Sequence, residues 1–296
     1  MKKVIIHAPS STANLGSGFD TMGIALSLYN TVELEEWDSL LITAADGSDT
    51  PIGKNNLVYT TAQQVATLCG TPFKGLKITQ QSPIPQARGL GSSSACIAAG
   101  VVGANRLLGS PLCAQQQLEL ACKIEGHPDN VAPAMLGGFV TSVLEDGKVY
   151  TIKKEVDSSL CFCAFVPDFR LLTAKARAVL PTMVPYGDAV YNVSRAALMA
   201  AAFCEHRPEL LAIGAEDRLH QPYRMELIPG ARTLFCGLLE LGAKAVFISG
   251  AGPTIMAVLD GADTAFLQKA TELLQQTEET THFKPMLLHA HNESML

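Results

Sequence analysis

The chain predicts an α+β fold in two parts, on three observations. The first half is dominated by strand-like segments and the second by helix-like ones. Regular strand–helix–strand alternation is absent. The change of character falls near Asp168, so residues 1–167 and 168–296 are the expected domains.

The elements follow in order. Residues 2–9 (KKVIIHAP) read as a short strand. Residues 24–37 contain an alternating stretch in which Val32 and Leu34 are apolar while Glu33 and Glu35 are polar, the pattern of a half-exposed strand. Residues 39–47 give another strand. The spacing of Leu57, Ala62, Val65 and Leu68 predicts a helix stopped at Gly70, and 76–81 a strand. Residues 93–109 read as a helix apolar almost all round, hence buried. A second helix is expected over 110–126, with Ser110 as its N-cap and Pro111 in the first turn. Residues 137–152 form a hairpin turning at Asp146 and Gly147, and 160–167 a strand. Beyond Asp168, helices are expected over 188–206, 208–217, 231–242 and 262–276. Two strands flank a glycine turn within 243–260, and 285–291 supplies the last strand.

Bulk properties narrow the function. With 296 residues, 48% of them hydrophobic, the chain can bury a substantial core. Its net charge of -6 and lack of a basic run argue against a nucleic-acid partner. The apolar run near the N-terminus is too short for a signal peptide, and no stretch reaches the ~20 residues of a membrane span. The expectation is a soluble, cytoplasmic protein. The eight cysteines carry no C-x-x-C motif and read as reduced thiols, with Cys69, Cys96, Cys122, Cys204 and Cys236 in apolar surroundings.

The segment PIPQARGLGSSSACIAAG, Pro83 to Gly100, carries the chemistry. Gly89 and Gly91 let the backbone approach a ligand, and Ser92, Ser93 and Ser94 fall where a helix begins. Unpaired backbone N–H groups and the positive end of the helix dipole favour an anion there. On spacing alone an ordinary serine cap fits as well. No lysine follows the last glycine, so the Walker pattern is absent. GSGFDT at Gly16 fails the dinucleotide fingerprint, because Thr21 stands at its final glycine position.

This segment resembles the P-x-x-x-G-L-G-S-S-[AS]-A signature of the GHMP small-molecule kinases. PSSTANLGSGFD (Pro9 to Asp20) resembles the family's N-terminal motif in the form homoserine kinases use, EGHPDNVAPAMLGGF (Glu125 to Phe139) is similar to that branch in particular, and SGAGPTIMAVL (Ser249 to Leu259) resembles the family's C-terminal glycine motif. The resemblance spans essentially the whole chain. It implies an N-terminal ribosomal-protein-S5-like domain and a C-terminal ferredoxin-like domain, ATP with Mg²⁺, and L-homoserine as the acceptor in threonine biosynthesis. A homodimer is plausible by the same analogy.

The resemblance also assigns residues. Pro85, Gln86, Ala87, Arg88, Gly89, Leu90, Gly91, Ser92, Ser93, Ser94 and Ala95 hold the ATP phosphates. Asn56 and Leu57 line the adenine pocket. Ser93 and Glu119 are the metal ligands, Glu119 being chosen because it lies eight residues before His127. Asn14, Asp20, His127, Asp129, Asn130, Thr173, Arg177, Arg224 and Gly250 form the acceptor site. Within it, Asp129 takes the ammonium, and Arg177, Arg224 and Thr173 take the carboxylate. Asp20 and Asn130 stand nearest the reacting hydroxyl. Asn130 replaces the aspartate of mevalonate-type relatives, and an amide cannot serve as a general base. Transfer is therefore expected to be direct and in line. Phosphorylation of another alcohol, a silent sensor and a dehydrogenase are weaker alternatives.

Overall fold

The structure, a computed structural model, describes residues 2–261 and 264–296. Its elements are β1 (Lys3–Ala13), β2 (Met22–Trp37), β3 (Leu41–Ala44), α1 (Leu57–Leu68), β4 (Gly75–Gln81), α2 (Ser92–Leu107), α3 (Ala114–Glu125), α4 (Val131–Leu136), β5 (Phe139–Glu145), β6 (Lys148–Lys154), β7 (Leu160–Pro167), α5 (Thr173–Ala178), α6 (Tyr186–Cys204), α7 (Leu211–Gly214), α8 (Gln221–Met225), α9 (Ala231–Glu240), β8 (Ala245–Ile248), β9 (Ile255–Asp260), α10 (Thr264–Leu274) and β10 (Phe283–His289). The expected helix over 262–276 begins with Ala262 and Asp263, which lie outside the described residues.

The strands form two sheets. In the first, β2 is the spine. It pairs antiparallel with β1 on one side, and on the other with β4 near its end and β5 near its start. β3 and β6 complete the two flanks. Val32 and Leu34 are fully buried, as their alternation predicts. α2 is buried on almost every side, between this sheet and α1. Its small residues permit that: a Cβ at Gly100 would lie 2.8 Å from the Cβ of Thr61 on α1, so only glycine allows the two helices this close.

The second sheet runs β10-β7-β9-β8, all antiparallel. With helices inserted after its first strand and between its third and fourth, this is the ferredoxin-like order. A separate apolar cluster, including Phe165, Ile248 and Leu259, fills the space under this sheet. Both implied domains are thus present as a two-part α+β fold.

Four expectations need correction. β7 belongs to the second sheet, so the division falls between β6 and β7 rather than near Asp168. The chain change that marks Asp168 is only the end of β7. Ser110 does not cap α3. It adopts φ 64 and gives its N–H to the carbonyl of Asn105, closing α2, and Cys113 stands at the start of α3 instead. α4, α5 and α8 were not anticipated, each being too short to show a period. Cys236 lies exposed.

All eight cysteines are free. Burial pushes the Cys122 and Cys163 thiols up to about 12, which keeps them protonated and inert. No helix among the described residues is long and apolar enough to cross a membrane.

Candidate active site

The glycine–serine loop meets the N-terminus of α2 in a cavity of about 230 Å³ between the two domains. Gly91 stands at the helix entry with φ 68, and a Cβ there would sit 2.1 Å from Ser11 Oγ. Neither the backbone conformation nor the space admits a side chain. Ser92, Ser93 and Ser94 open the helix without a side-chain cap, leaving their N–H groups for a ligand. The loop is tied down from both domains. Arg88 donates to the carbonyls of Gln86, Pro167 and Asp168, and Ser249 Oγ donates to the carbonyl of Gly89 at 2.5 Å. Leu90 and Ala95 are fully buried behind it. Pro85, Ala87, Gly89 and Gly91 line the cavity; Gln86 lines its neighbour.

The carboxylate facing this loop is Glu125, not Glu119. Ser93 Oγ and Ser94 Oγ both donate to Glu125 Oε1, at 2.9 and 2.7 Å. Glu119 accepts from Gln115 on its own helix and does not line the cavity. The six-residue offset places Glu119 about 9 Å back along α3 and some 240° around it. Counting back from His127 picks the wrong glutamate because α3 ends at Glu125 and turns at once through Gly126 (φ 91). Two hydroxyls and a carboxylate are hard oxygen donors, and beside an anion site they suit Mg²⁺.

The same cavity is lined by the residues expected for an acceptor: Asn14, Asp20, His127, Asp129, Asn130, Thr173, Arg177, Arg224 and Gly250. The loop after β1 passes through left-handed conformations at Asn14, Leu15 and Gly16, and again at Asp20. It is fastened by Asn14, whose amide donates to the Gly250 carbonyl at 2.7 Å and accepts from the Asp20 N–H at 3.0 Å. Arg177 donates both terminal nitrogens to Asp20, at 2.9 and 2.6 Å. His127 Nδ1 lies 2.6 Å from Asp129 Oδ1. Burial alone would lower the His127 pKa; the Asp129 hydrogen bond with the charges of Asp129 and Glu125 outweighs it, and the net shift is upward. Arg224 is 1% exposed and donates to the carbonyls of Ala176 and Gly250. Burial and the charge of Arg177 bring it down to about 10, so it remains a cation at neutral pH.

A second cavity, of about 360 Å³, adjoins the first across Ala87, Ser92, Ser93 and Leu172. Asn56 and Leu57 line it. Asn56 caps α1 and spends its amide on Tyr59, Pro51 and Gln80, which fixes it in the cavity wall. Three residues near these cavities escaped the sequence reading: Glu125, Ser11 and His220. The first two lie inside quoted motifs, and only their roles were unreadable. His220 stands four residues before Arg224, which puts it on the same helical face.

The fold and this site define a small-molecule kinase. The GHMP kinases N terminal domain matches residues 56–138 and the GHMP kinases C terminal domain residues 199–272, together over half the chain. The chain belongs to the GHMP kinase family. Within that family, the homoserine kinase of Caldicellulosiruptor bescii is 45% identical over 291 residues, covering 98% of this chain and 95% of that protein. The homoserine kinase of Clostridium beijerinckii is 44% identical over 274 residues, covering 92% and 91%. The crystal structure of homoserine kinase from Cytophaga hutchinsonii superposes with a TM-score of 0.87 at 26% identity, covering 99% of this chain and 96% of that one. The Methanococcus jannaschii mevalonate kinase shares the fold at TM-score 0.73 and 13% identity.

Proposed function

We propose that this protein is a homoserine kinase, transferring the γ-phosphoryl group of ATP to the side-chain hydroxyl of L-homoserine in threonine biosynthesis. One observation carries the reading: an anion-binding helix terminus and a charge-balanced pocket open into one cavity. Away from the loop, two carboxylates, Asp20 and Asp129, face two guanidinium groups, Arg177 and Arg224, while Glu125 and Arg88 line the loop side. That set suits a zwitterion. An acceptor without an ammonium would leave the buried Asp129 with only His127 and the Asn130 amide as partners.

The roles follow from chemistry. The triphosphate lies against the N–H groups of Ser92, Ser93 and Ser94. Ser93 and Glu125 would hold Mg²⁺, with Ser94 beside them; the ion would neutralise phosphate charge in place of a Walker lysine. Asp129 takes the ammonium. Arg177, Arg224 and Thr173 take the carboxylate; the guanidinium groups carry enough donors to keep some for it beside their protein contacts, Nη2 on Arg224 among them. Asp20 orients Arg177 and keeps lone pairs for the substrate. The acceptor oxygen attacks the γ-phosphorus as the bond to the β-phosphate oxygen breaks, and ADP leaves. The hydroxyl proton passes to the transferred phosphoryl group and then to solvent, since Asn130 is an amide. Rate then derives from proximity and fixed charge.

The test is ADP release by the purified protein over a panel of alcohols. Homoserine should turn over well above mevalonate and above 3-aminopropan-1-ol, which lacks the carboxylate. Turnover of another alcohol without turnover of homoserine would reject the assignment.

A further inference from the structure

We propose that His220 is a positioning residue for the acceptor pocket, holding Arg224 in the attitude that grips a carboxylate. This rests on the role given to Arg224 above. His220 is fully buried and lies outside the ligand set. Its Nδ1 is 3.2 Å from an Arg224 terminal nitrogen, Nη1, and its Nε2 is 2.7 Å from the Gly16 carbonyl oxygen.

The two contacts fix one tautomer. Arginine offers only donors, so Nδ1 must present its lone pair. The ring proton then sits on Nε2, where a carbonyl oxygen waits to accept it. Other charged groups around the ring agree with a neutral imidazole. Burial lowers its pKa and Arg224 adds to that. Asp217, with Oδ2 at 3.6 Å from Nε2, and Asp20 pull the other way, and the net shift is downward. Phe19 stacks on the ring with centroids 4.9 Å apart.

The imidazole is thus a strut between the loop that carries Asn14 and Asp20 and the arginine on α8. Arg224 spends Nε on Ala176 and Nη1 on Gly250 and His220. Its other terminal nitrogen, Nη2, has no partner among the described residues. Three fixed contacts aim that one donor. Without the His220 acceptor, Nη1 retains only the Gly250 carbonyl, and the side-chain torsions are freer to tilt the rigid planar group.

Two substitutions separate the contacts. In His220→Asn the amide oxygen can stand where Nδ1 stood; His220→Gln reaches Gly16 but offers Arg224 no acceptor at that place. His220→Gln should raise KM for homoserine about tenfold while KM for ATP and kcat stay within about threefold, and His220→Asn should recover most of that loss. Equal effects of both variants, or equal rises in the two KM values, would overturn the proposal. Arg224→Lys is the companion: if it leaves KM for homoserine unchanged, the clamp assignment itself fails. If it raises KM while His220→Gln does not, the strut alone fails. Should the variants not fold, ¹⁵N spectra of the unsubstituted protein at about pH 7 still decide. A neutral ring protonated at Nε2 is expected; an Nδ1–H tautomer or an imidazolium would refute the strut.

Discussion

Ser11 Oγ donates to Asn130 Oδ1 across 2.9 Å, a bond between two buried side chains 119 residues apart. Because the amide oxygen is spent on Ser11, the amide nitrogen is the group turned toward the cavity. That nitrogen lies 3.5 Å from Asp129 Oδ1, and under the function proposed above it is the donor left for the reactants. Loss of Ser11 frees the amide to rotate. Ser11→Ala is expected to lower kcat about 3- to 10-fold, and Asn130→Ala about 10- to 100-fold, with KM for both substrates changed little. Steady-state kinetics with ATP and homoserine varied separately check this. A change confined to KM would place Asn130 in ground-state binding instead.

The paired hydrogen bonds from Arg177 to Asp20 make these residues one unit. Asp20→Asn preserves shape but removes one charge and one acceptor, so Arg177 can turn away from the carboxylate position. The expected outcome is a fall of about 10- to 100-fold in kcat/KM for homoserine with KM for ATP unchanged. Arg177→Lys should cost a similar factor, and the double variant should cost little more than either single one. Additive losses in that cycle would show that the two residues act independently.

The Ser93–Ser94–Glu125 cluster predicts where the metal dependence lies. Glu125→Gln should raise the Mg²⁺ concentration for half-maximal rate at least about tenfold and lower kcat by about 100-fold. Glu119→Gln should stay within about twofold, since among the described residues its carboxylate hydrogen-bonds Gln115 alone and lies outside the cavity. Initial rates across a Mg²⁺ titration distinguish the two, and a larger effect at Glu119 would reverse the assignment.

Much of this cavity's lining was legible because its motifs are local. Gly89 to Ala95, His127 to Asn130 and Ser249 to Gly252 each act through backbone shape or neighbours in sequence, and a contiguous pattern records such constraints. Arg177 and Arg224 were singled out one by one by the resemblance, and both line the cavity. Glu125 was missed because a count along the chain presumes a fixed connection between helix and loop, and here α3 turns directly at Gly126. His220 was missed because its value lies in contacts to Gly16 and Arg224, and Gly16 is 204 residues away. The division at β7 was misplaced for a similar reason: which sheet a strand joins depends on β9 and β10, not on its own alternation.

Gly91 gives a test of the cradle that is independent of chemistry. Gly91→Ala combines φ 68 with a Cβ 2.1 Å from Ser11 Oγ, in a loop fixed by contacts to both domains. A cost of about 3 kcal/mol in stability and loss of detectable nucleotide binding are expected. Gly109, φ 87 with nothing within 4 Å, is the control. Gly109→Ala should cost only about 1 kcal/mol and leave nucleotide affinity intact. Denaturant unfolding and nucleotide titration measure both, and equal costs would show that backbone conformation alone sets the requirement.

The His127–Asp129 contact predicts a dependence on pH with a definite sign. The folded pKa of His127 lies above its ordinary value because Asp129 and Glu125 overcome the effect of burial. A raised folded pKa favours the folded state whenever the imidazole is protonated. That contribution is complete below the unfolded value of ~6.5 and is lost as pH rises through the folded value. The stability of the protein relative to His127→Asn should therefore be greater at about pH 6 than at about pH 9. In Asp129→Asn the titration midpoint of His127, followed by NMR, should fall below that of the unsubstituted protein. An unchanged midpoint would mean that Glu125 alone sustains the shift, and the buried carboxylate of Asp129 would then need another partner in the free enzyme.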